Sequence, residues 1–261
     1  MKFLKRFLIT LILIAVILSA FYFLWISPRY VVPILMYHRF GDKDTNLFVT
    51  PESFYRQMKY LKDNNYKVIS LDELVEGIKN KREFNHKTVV ITIDDGYEDN
   101  FLYGYPVLKE FDFPATIFIA ANHINNKKDF MNWLQVKVMA KDTISFGAHT
   151  KNEAYLPSIT NEKELRDEIF GAKEIIEQNL GIPVDYFCYP TGGFTEEVKA
   201  MVKEAGYKGA CTTNRGFANL NEDIYELKRV KVKNSDTVKA FSFPAKLSGY
   251  YNLFRHKKSG Y

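Results

Sequence analysis

Cysteine is nearly absent from this chain: Cys188 and Cys211 are the only two in 261 residues. Two thiols permit one disulfide at most, and they form neither a zinc ribbon nor a redox Cys-x-x-Cys pair. Both sit in apolar, strand-like surroundings, Phe187-Cys188-Tyr189 and Gly209-Ala210-Cys211-Thr212. There a cysteine acts as a small buried hydrophobe, with a single disulfide as the alternative. No Ser/His/Asp arrangement or reactive-cysteine context is present, so side-chain nucleophilic catalysis has no candidate. The net charge is only +5, spread over lysine-rich helices and short tails, with no dense basic stripe and no aromatic–basic motif. That excludes a nucleic-acid partner. The excess fits a soluble surface or, alternatively, polyanionic surroundings such as a cell envelope. Internal repeats and low-complexity tracts are missing too, which excludes solenoids, and ordinary apolar and charged fractions exclude a disordered chain.

What the sequence has in excess comes first. Residues 7–26 are twenty positions without a charge, softened only by Thr10, Ser19 and Tyr22. That length crosses a hydrocarbon core as a helix. Lys2, Lys5 and Arg6 precede the run, which favours a cytoplasmic N-terminus and an exported domain after it, with Trp25 and Tyr30 at the outer interface. The alternative is a signal peptide removed after export. Leu18-Ser19-Ala20 is a poor cleavage site and the apolar run continues beyond it, so the expectation is an uncleaved anchor over residues 1–28. Residues 29–245 then form one domain, and residues 246–261, rich in Tyr and Lys, a tail without assignable role.

Within the domain, β-branched runs alternate with helical periodicities. Strands are expected at 31–37, 66–69, 88–93, 115–119, 144–148, 184–188, 207–213 and 229–232. Helices are expected after Thr50-Pro51, over 71–78, 104–111, 133–139, 161–179 and 195–205. Alternation of this kind implies an α/β fold with a parallel sheet. Six to eight such units favour a closed barrel over an open sheet, with the active site at the C-terminal ends of the strands.

Three strand ends carry polar clusters. Thr88-Val89-Val90-Ile91 runs into Thr92-Ile93-Asp94-Asp95-Gly96-Tyr97. Ile144-Ser145-Phe146-Gly147-Ala148 runs into His149-Thr150-Lys151-Asn152-Glu153. Val184-Asp185-Tyr186-Phe187-Cys188 runs into Tyr189-Pro190-Thr191-Gly192-Gly193-Phe194. Adjacent carboxylates are costly unless a cation or proton compensates them, so one can bind a metal while the other serves as a base. A plain strand end followed by a helix cap is the alternative.

In that order the three clusters resemble the polysaccharide deacetylases of the NodB-homology family, carbohydrate esterase family 4, whose motifs read T-[FY]-D-D-G, then H-[ST]-x-x-H, then R-x-P-Y-G or F-x-Y-P-x-G. The resemblance spans about residues 31–232. It departs at Glu153, which stands where the family has its second histidine, and at Cys188, a position that the F-x-Y-P-x-G variant also leaves without arginine. The family implies a distorted (β/α) barrel with fewer than eight strands and a divalent metal: zinc, cobalt, manganese or iron. By this resemblance Asp95 and His149 are metal ligands and Asp94 is the general base. Arg229 orients Asp94, and the backbone N–H at Thr191 meets the carbonyl oxygen. His38, in Met36-Tyr37-His38-Arg39, matches the histidine acid of exported biofilm-polysaccharide deacetylases and should approach the amide from the side opposite Asp94.

Glu153 can act as a carboxylate ligand, four residues from His149 as on one helix face, or mark a weakened or lost site. Two carboxylates and one histidine make a harder, more anionic site that favours manganese or iron relative to zinc. His86, His123 and His256 lie in polar loop or tail contexts and read as surface residues. Asp99 and Asn100 read as helix-start residues, and Tyr97 and Trp133 as core residues or sugar-stacking rings. The resulting expectation is a membrane-anchored, extracytoplasmic hydrolase that removes N-acetyl groups from a β-linked N-acetylhexosamine polysaccharide. The alternatives are a carbohydrate-binding member without activity and an O-acetyl esterase. The oligomeric state is open.

Overall fold

Alternating side chains along each strand sort the apolar residues into two clusters, and these define the architecture. Leu35, Tyr37, Val89, Ile91, Ile93, Ile117 and Phe146 point outward and pack beneath the helices, against Phe54, Met58, Leu108, Val136 and Ile169. Their neighbours Ile34, Val90, Phe118, Tyr186, Cys188, Cys211 and Leu227 point inward and fill the barrel interior. This is a computed structural model of the chain and describes residues 2–43, 45–213, 222–239 and 241–252; His256 and the end of the expected tail lie outside the described residues.

The strands in chain order are β1 (Ile34–Tyr37), β2 (Arg39–Phe40), β3 (Phe48–Val49), β4 (Lys67–Ile69), β5 (Thr88–Asp95), β6 (Ala115–Ile119), β7 (Ile144–Ala148), β8 (Tyr186–Cys188), β9 (Gly209–Thr212), β10 (Leu227–Lys228) and β11 (Val230–Lys231). The main sheet runs β10-β9-β8-β7-β6-β5-β1-β11, with β4 paired to the first half of β5, and its pairings are parallel. β10 and β11 are one extended segment broken at Arg229. One half pairs with β9 and the other with β1, so this last segment nearly closes the ring. The sheet path therefore counts eight strands. The expected number, fewer than eight, holds only if the two halves are taken as one. The expectation of a distorted parallel barrel is met.

The helices are α1 (Lys2–Phe21), α2 (Pro51–Asp63), α3 (Leu71–Lys79), α4 (Tyr105–Phe111), α5 (Trp133–Met139), α6 (Glu162–Arg166), α7 (Ala172–Leu180), α8 (Glu196–Glu204), α9 (Ser235–Val238) and α10 (Ser242–Lys246). α2, α3, α5, α6 and α8 begin at side-chain N-caps. Thr50 Oγ1 accepts from the Ser53 N–H at 3.1 Å, with Pro51 at the first helical position. Asn132 and Gln135 form a reciprocal capping box at α5. α3 places Leu71, Leu74 and Val75 in the inner cluster and plugs the N-terminal end of the barrel. The expected helix over 161–179 is interrupted: a π-helical turn, Asp167–Gly171, separates α6 from α7, and α7 ends on Gly181 at φ 71°.

α1 continues through a π turn and a 3₁₀ turn to Arg29, and the most apolar 18-residue stretch of this segment has a mean hydropathy of 2.8 and is unburied. It is long and apolar enough to cross a membrane, and a signal sequence would have the same character. Cys188 and Cys211 are register partners on β8 and β9, and both are free thiols. Packing continues slightly past residue 245, with Lys246 and Leu247 buried.

Candidate active site

The upper barrel interior turns polar because the inward-facing positions there are Thr92 and Asp94 of β5, Cys188 of β8, and Arg229 at the break between β10 and β11. Asp94 and Arg229 are almost fully buried. The guanidinium grips the carboxylate in a bidentate pair, with Nη1–Oδ1 and Nη2–Oδ2 both 2.6 Å. It also donates to Thr92 Oγ1 at 3.0 Å and contacts Cys188 Sγ at 3.0 Å. Burial by itself would raise the Asp94 pKa. The charge and hydrogen bonds of Arg229 outweigh it, with help from His38 and His149, and bring the carboxyl down to about 2. Asp94 is an anion throughout the working pH range.

Asp95 departs from the strand alternation. It adopts φ 79°, and Gly96 follows at φ 84°. A Cβ on Gly96 would stand 2.7 Å from the Ile119 side chain. This pair of left-handed residues is a strained turn held by its surroundings. It swings the Asp95 carboxylate over the barrel rim, where Oδ1 lies 3.4 Å from His149 Nε2. His149 Nδ1 is 2.8 Å from the Cys188 carbonyl, which can only accept, so Nδ1 carries the proton. In the neutral ring the Nε2 lone pair then faces Asp95. Burial disfavours the imidazolium, but Cys188 and Asp95 more than compensate, and the His149 pKa is raised well above the ordinary histidine value. A ring nitrogen oriented by a backbone carbonyl and converging with a carboxylate oxygen is the donor arrangement a divalent cation requires. Asp95 and His149 therefore fit a metal.

Asp94, His149 and Cys188 also bring donor atoms within 4.8 Å of one another, the one such trio among the described residues. A dication there would lie against the Arg229 guanidinium, which already occupies both Asp94 oxygens. Charge would favour a cation on the Asp95 side instead.

Glu153 enters by a route the sequence reading did not foresee. Residues 149–153 are a turn and not a helix, with Thr150 at φ 61° and Glu153 at φ 60°. The shared helix face with His149 is therefore absent. Buried Glu168, on the π turn, holds this loop. Its Oε2 accepts the Lys151 and Asn152 N–H groups at 3.0 and 2.9 Å, and Oε1 accepts from the Asn152 amide at 2.5 Å. Glu153 remains about one-third exposed, with Oε2 3.5 Å from His123 Nδ1. Burial, then Asp95, raises its pKa. Glu168 and His123 were both missed in the sequence. His123, read there as a surface residue, is buried.

His38 does reach the cleft. Its Nε2 is 4.0 Å from Asp94 Oδ2, so it neighbours Asp94 and does not face it across the space an amide would need. Burial lowers its pKa, against the pull of Asp94 and Asp95. The Asn100 amide fixes the His38 carbonyl at 2.8 Å. Asp99 caps no helix with its side chain; it binds Arg39 Nε at 2.8 Å and the Phe40 N–H at 3.1 Å. Both residues thus position the His38 segment. Thr191 lies on the rim at φ 55°, its carbonyl accepting from Thr213 Oγ1 at 2.6 Å. Tyr97 is half-buried under the Arg39 guanidinium, 4.0 Å from its ring centre, and Trp133 packs on the outer core.

Residues 81–210 match the polysaccharide deacetylase family model. The Bacillus subtilis (strain 168) protein YxkH, whose name assigns it to the polysaccharide deacetylases, is 32% identical over 210 residues, covering 80% of this chain and 74% of its own. The chain belongs to the polysaccharide deacetylase family. A poly-β-1,6-N-acetyl-D-glucosamine N-deacetylase of Staphylococcus aureus is 24% identical, covering 72% of this chain and 69% of its own. Among solved structures, the Streptococcus pyogenes deacetylase PplD in complex with acetate superposes with a TM-score of 0.74 at 26% identity, covering 79% of this chain and 94% of the other. In this member of the family the strand-end carboxylates, His149 and Arg229 lie together at the C-terminal mouth of the barrel, whereas Glu153 sits beside His123 and completes no cluster of donors with Asp95 and His149 among the described residues.

Proposed function

We propose that the chain is a metal-dependent N-deacetylase of a β-linked N-acetylhexosamine polysaccharide, held at the outer face of a membrane by α1. The observation that carries this reading is the convergence of the Asp95 carboxylate and the oriented His149 nitrogen beside the Asp94–Arg229 pair. Similarity to an enzyme named for deacetylating poly-β-1,6-N-acetyl-D-glucosamine supports the substrate class. A cation held by Asp95 and His149, with Glu153 as third ligand, would polarise the acetyl carbonyl and acidify a water. The chain's own groups supply the rest. Asp94 accepts the water proton, Arg229 keeps it oriented, the Thr191 N–H meets the developing oxyanion, and His38 delivers a proton to the departing amine.

Metal analysis of the purified chain beside acetate release from a fully N-acetylated oligomer tests the proposal. Asp95→Ala and His149→Ala are expected to lose metal and activity together. Acetate released only from an O-acetylated oligomer would make the chain an esterase. A second reading, a binding member without activity, is favoured by the Glu at 153. It prevails if the wild type binds no divalent metal and Glu153→His gains both metal and turnover.

A further inference from the structure

The segment after β6 lies along the motif loop after β7. Ala121 N–H donates to Thr150 O at 3.2 Å, Asn122 N–H to Lys151 O at 2.9 Å, and the Asn122 amide to Asn152 Oδ1 at 2.8 Å. This pairing presses His123 into the protein, 5% exposed, edge-on to Phe130 with ring centres 4.7 Å apart. One ring nitrogen, Nε2, is 2.9 Å from Lys127 Nζ, one helical turn further along. The other, Nδ1, is buried with no hydrogen-bond partner and lies 3.5 Å from Glu153 Oε2. A buried polar nitrogen left unpaired is costly, so its place beside Glu153 calls for an explanation.

An ammonium group has only protons to give. Nε2 must therefore accept from Lys127, and the single proton of the neutral ring falls on Nδ1, 3.5 Å from Glu153 Oε2. This matches what a carboxylate ligand needs. Where an imidazole ligand offers one nitrogen to a metal, a carboxylate has a second oxygen that rotates freely unless a donor fixes it.

We propose that Lys127 and His123 form a proton-donor relay that orients Glu153 as the third metal ligand, so that the carboxylate replaces the family's second histidine without loss of the site. His123 is then a positioning residue and not a ligand. The inference rests on the reading that Asp95 and His149 hold a divalent cation.

The test titrates the full-length chain in detergent, stripped of metal by chelation, with Mn²⁺ and Zn²⁺ by calorimetry, and records the thermal midpoint of each metal-free variant. Glu153→Ala is expected to weaken binding tenfold or more. His123→Ala is expected to weaken it ten- to a hundredfold, in the range typical of lost partners of metal ligands. His123→Asn, whose amide keeps an N–H where Nδ1 stood, should recover most of that loss. The double variant His123→Ala/Glu153→Ala should bind no worse than Glu153→Ala alone, because both remove one interaction. Exposed Lys127 gives a variant that leaves the core untouched. In the wild type, ring-nitrogen NMR should report the Nδ1–H tautomer at His123, and Lys127→Met should shift the population toward Nε2–H. Unchanged affinity in His123→Ala, or additive losses in the double variant, overturns the relay. So does an Nε2–H tautomer in the wild type. Retained affinity in Glu153→Ala together with loss in both His123 variants would make His123 itself the ligand, which also overturns it. A wild type that binds neither ion removes the enzyme reading and the relay together.

Discussion

Asp94 is the residue whose environment most constrains its chemistry. Buried and gripped on both oxygens by Arg229, it contributes to stability through its depressed pKa. A lowered carboxyl pKa stabilises the fold above the unfolded value of about 4, and that contribution is lost as pH falls through about 2. Wild-type acid unfolding should therefore contain a step in that window, visible by far-UV circular dichroism and missing in Asp94→Asn. The same substitution leaves Arg229 buried without its counter-charge, a loss on the order of 3–5 kcal/mol. Its folded fraction should bind metal normally while turnover disappears; near-normal turnover would refute the base assignment. His38 behaves differently. Its carbonyl, not its ring, makes the tie to Asn100, so His38→Ala should leave the thermal midpoint nearly unchanged while kcat drops about a hundred- to ten-thousandfold. A lowered midpoint with unchanged kcat would defeat the acid role. Asp94, Asp95, His149, Arg229 and His38 stood out in the sequence because each ends or interrupts a strand at a position the family's motifs mark; Asp95 leaves the period-2 pattern by its positive φ. His123 and Glu168 were not, since their burial comes from two loops meeting and leaves no local periodicity.

At the scale of elements, strands, caps and most helices followed from periodicity and N-cap chemistry. α5 and β7 have the expected bounds. Two departures carry the site's geometry. The last strand breaks at Arg229 so that one residue turns its guanidinium inward while its two halves pair with β9 and β1. The helix over 161–179 carries a π turn, a feature often found at functional sites, and that turn aims Glu168 at the motif loop. Glu168→Ala removes three hydrogen bonds to an ionised acceptor, from the Lys151 N–H, the Asn152 N–H and the Asn152 amide. The expected loss is a few kcal/mol, with faster hydrogen exchange at Lys151 and Asn152 and weaker metal binding; unchanged exchange would show that the loop is held elsewhere. Neither departure has a propensity signal, because both are selected by tertiary contacts.

At the scale of the molecule, the parallel barrel gives the two ends different work. Every main-sheet strand starts at the end plugged by α3 and finishes at the end carrying Asp94, Asp95 and His149. α1 joins the chain just before β1, at the starting end. Strand β5 has eight residues, which at about 3.3 Å each makes a stave of roughly 26 Å. On the proposed anchored reading, with barrel strands tilted by about 36° to the axis, the catalytic mouth would stand roughly 20 Å above the lipid headgroups, opening away from them. An anchored barrel would then be a spacer that fixes a working distance, favouring sugar units already clear of the bilayer over those still lying on it. An N-acetylated oligosaccharide coupled directly to a lipid headgroup should release acetate far more slowly from vesicles carrying the enzyme than the same oligosaccharide supplied free. Equal rates would mean that the mouth does not face outward.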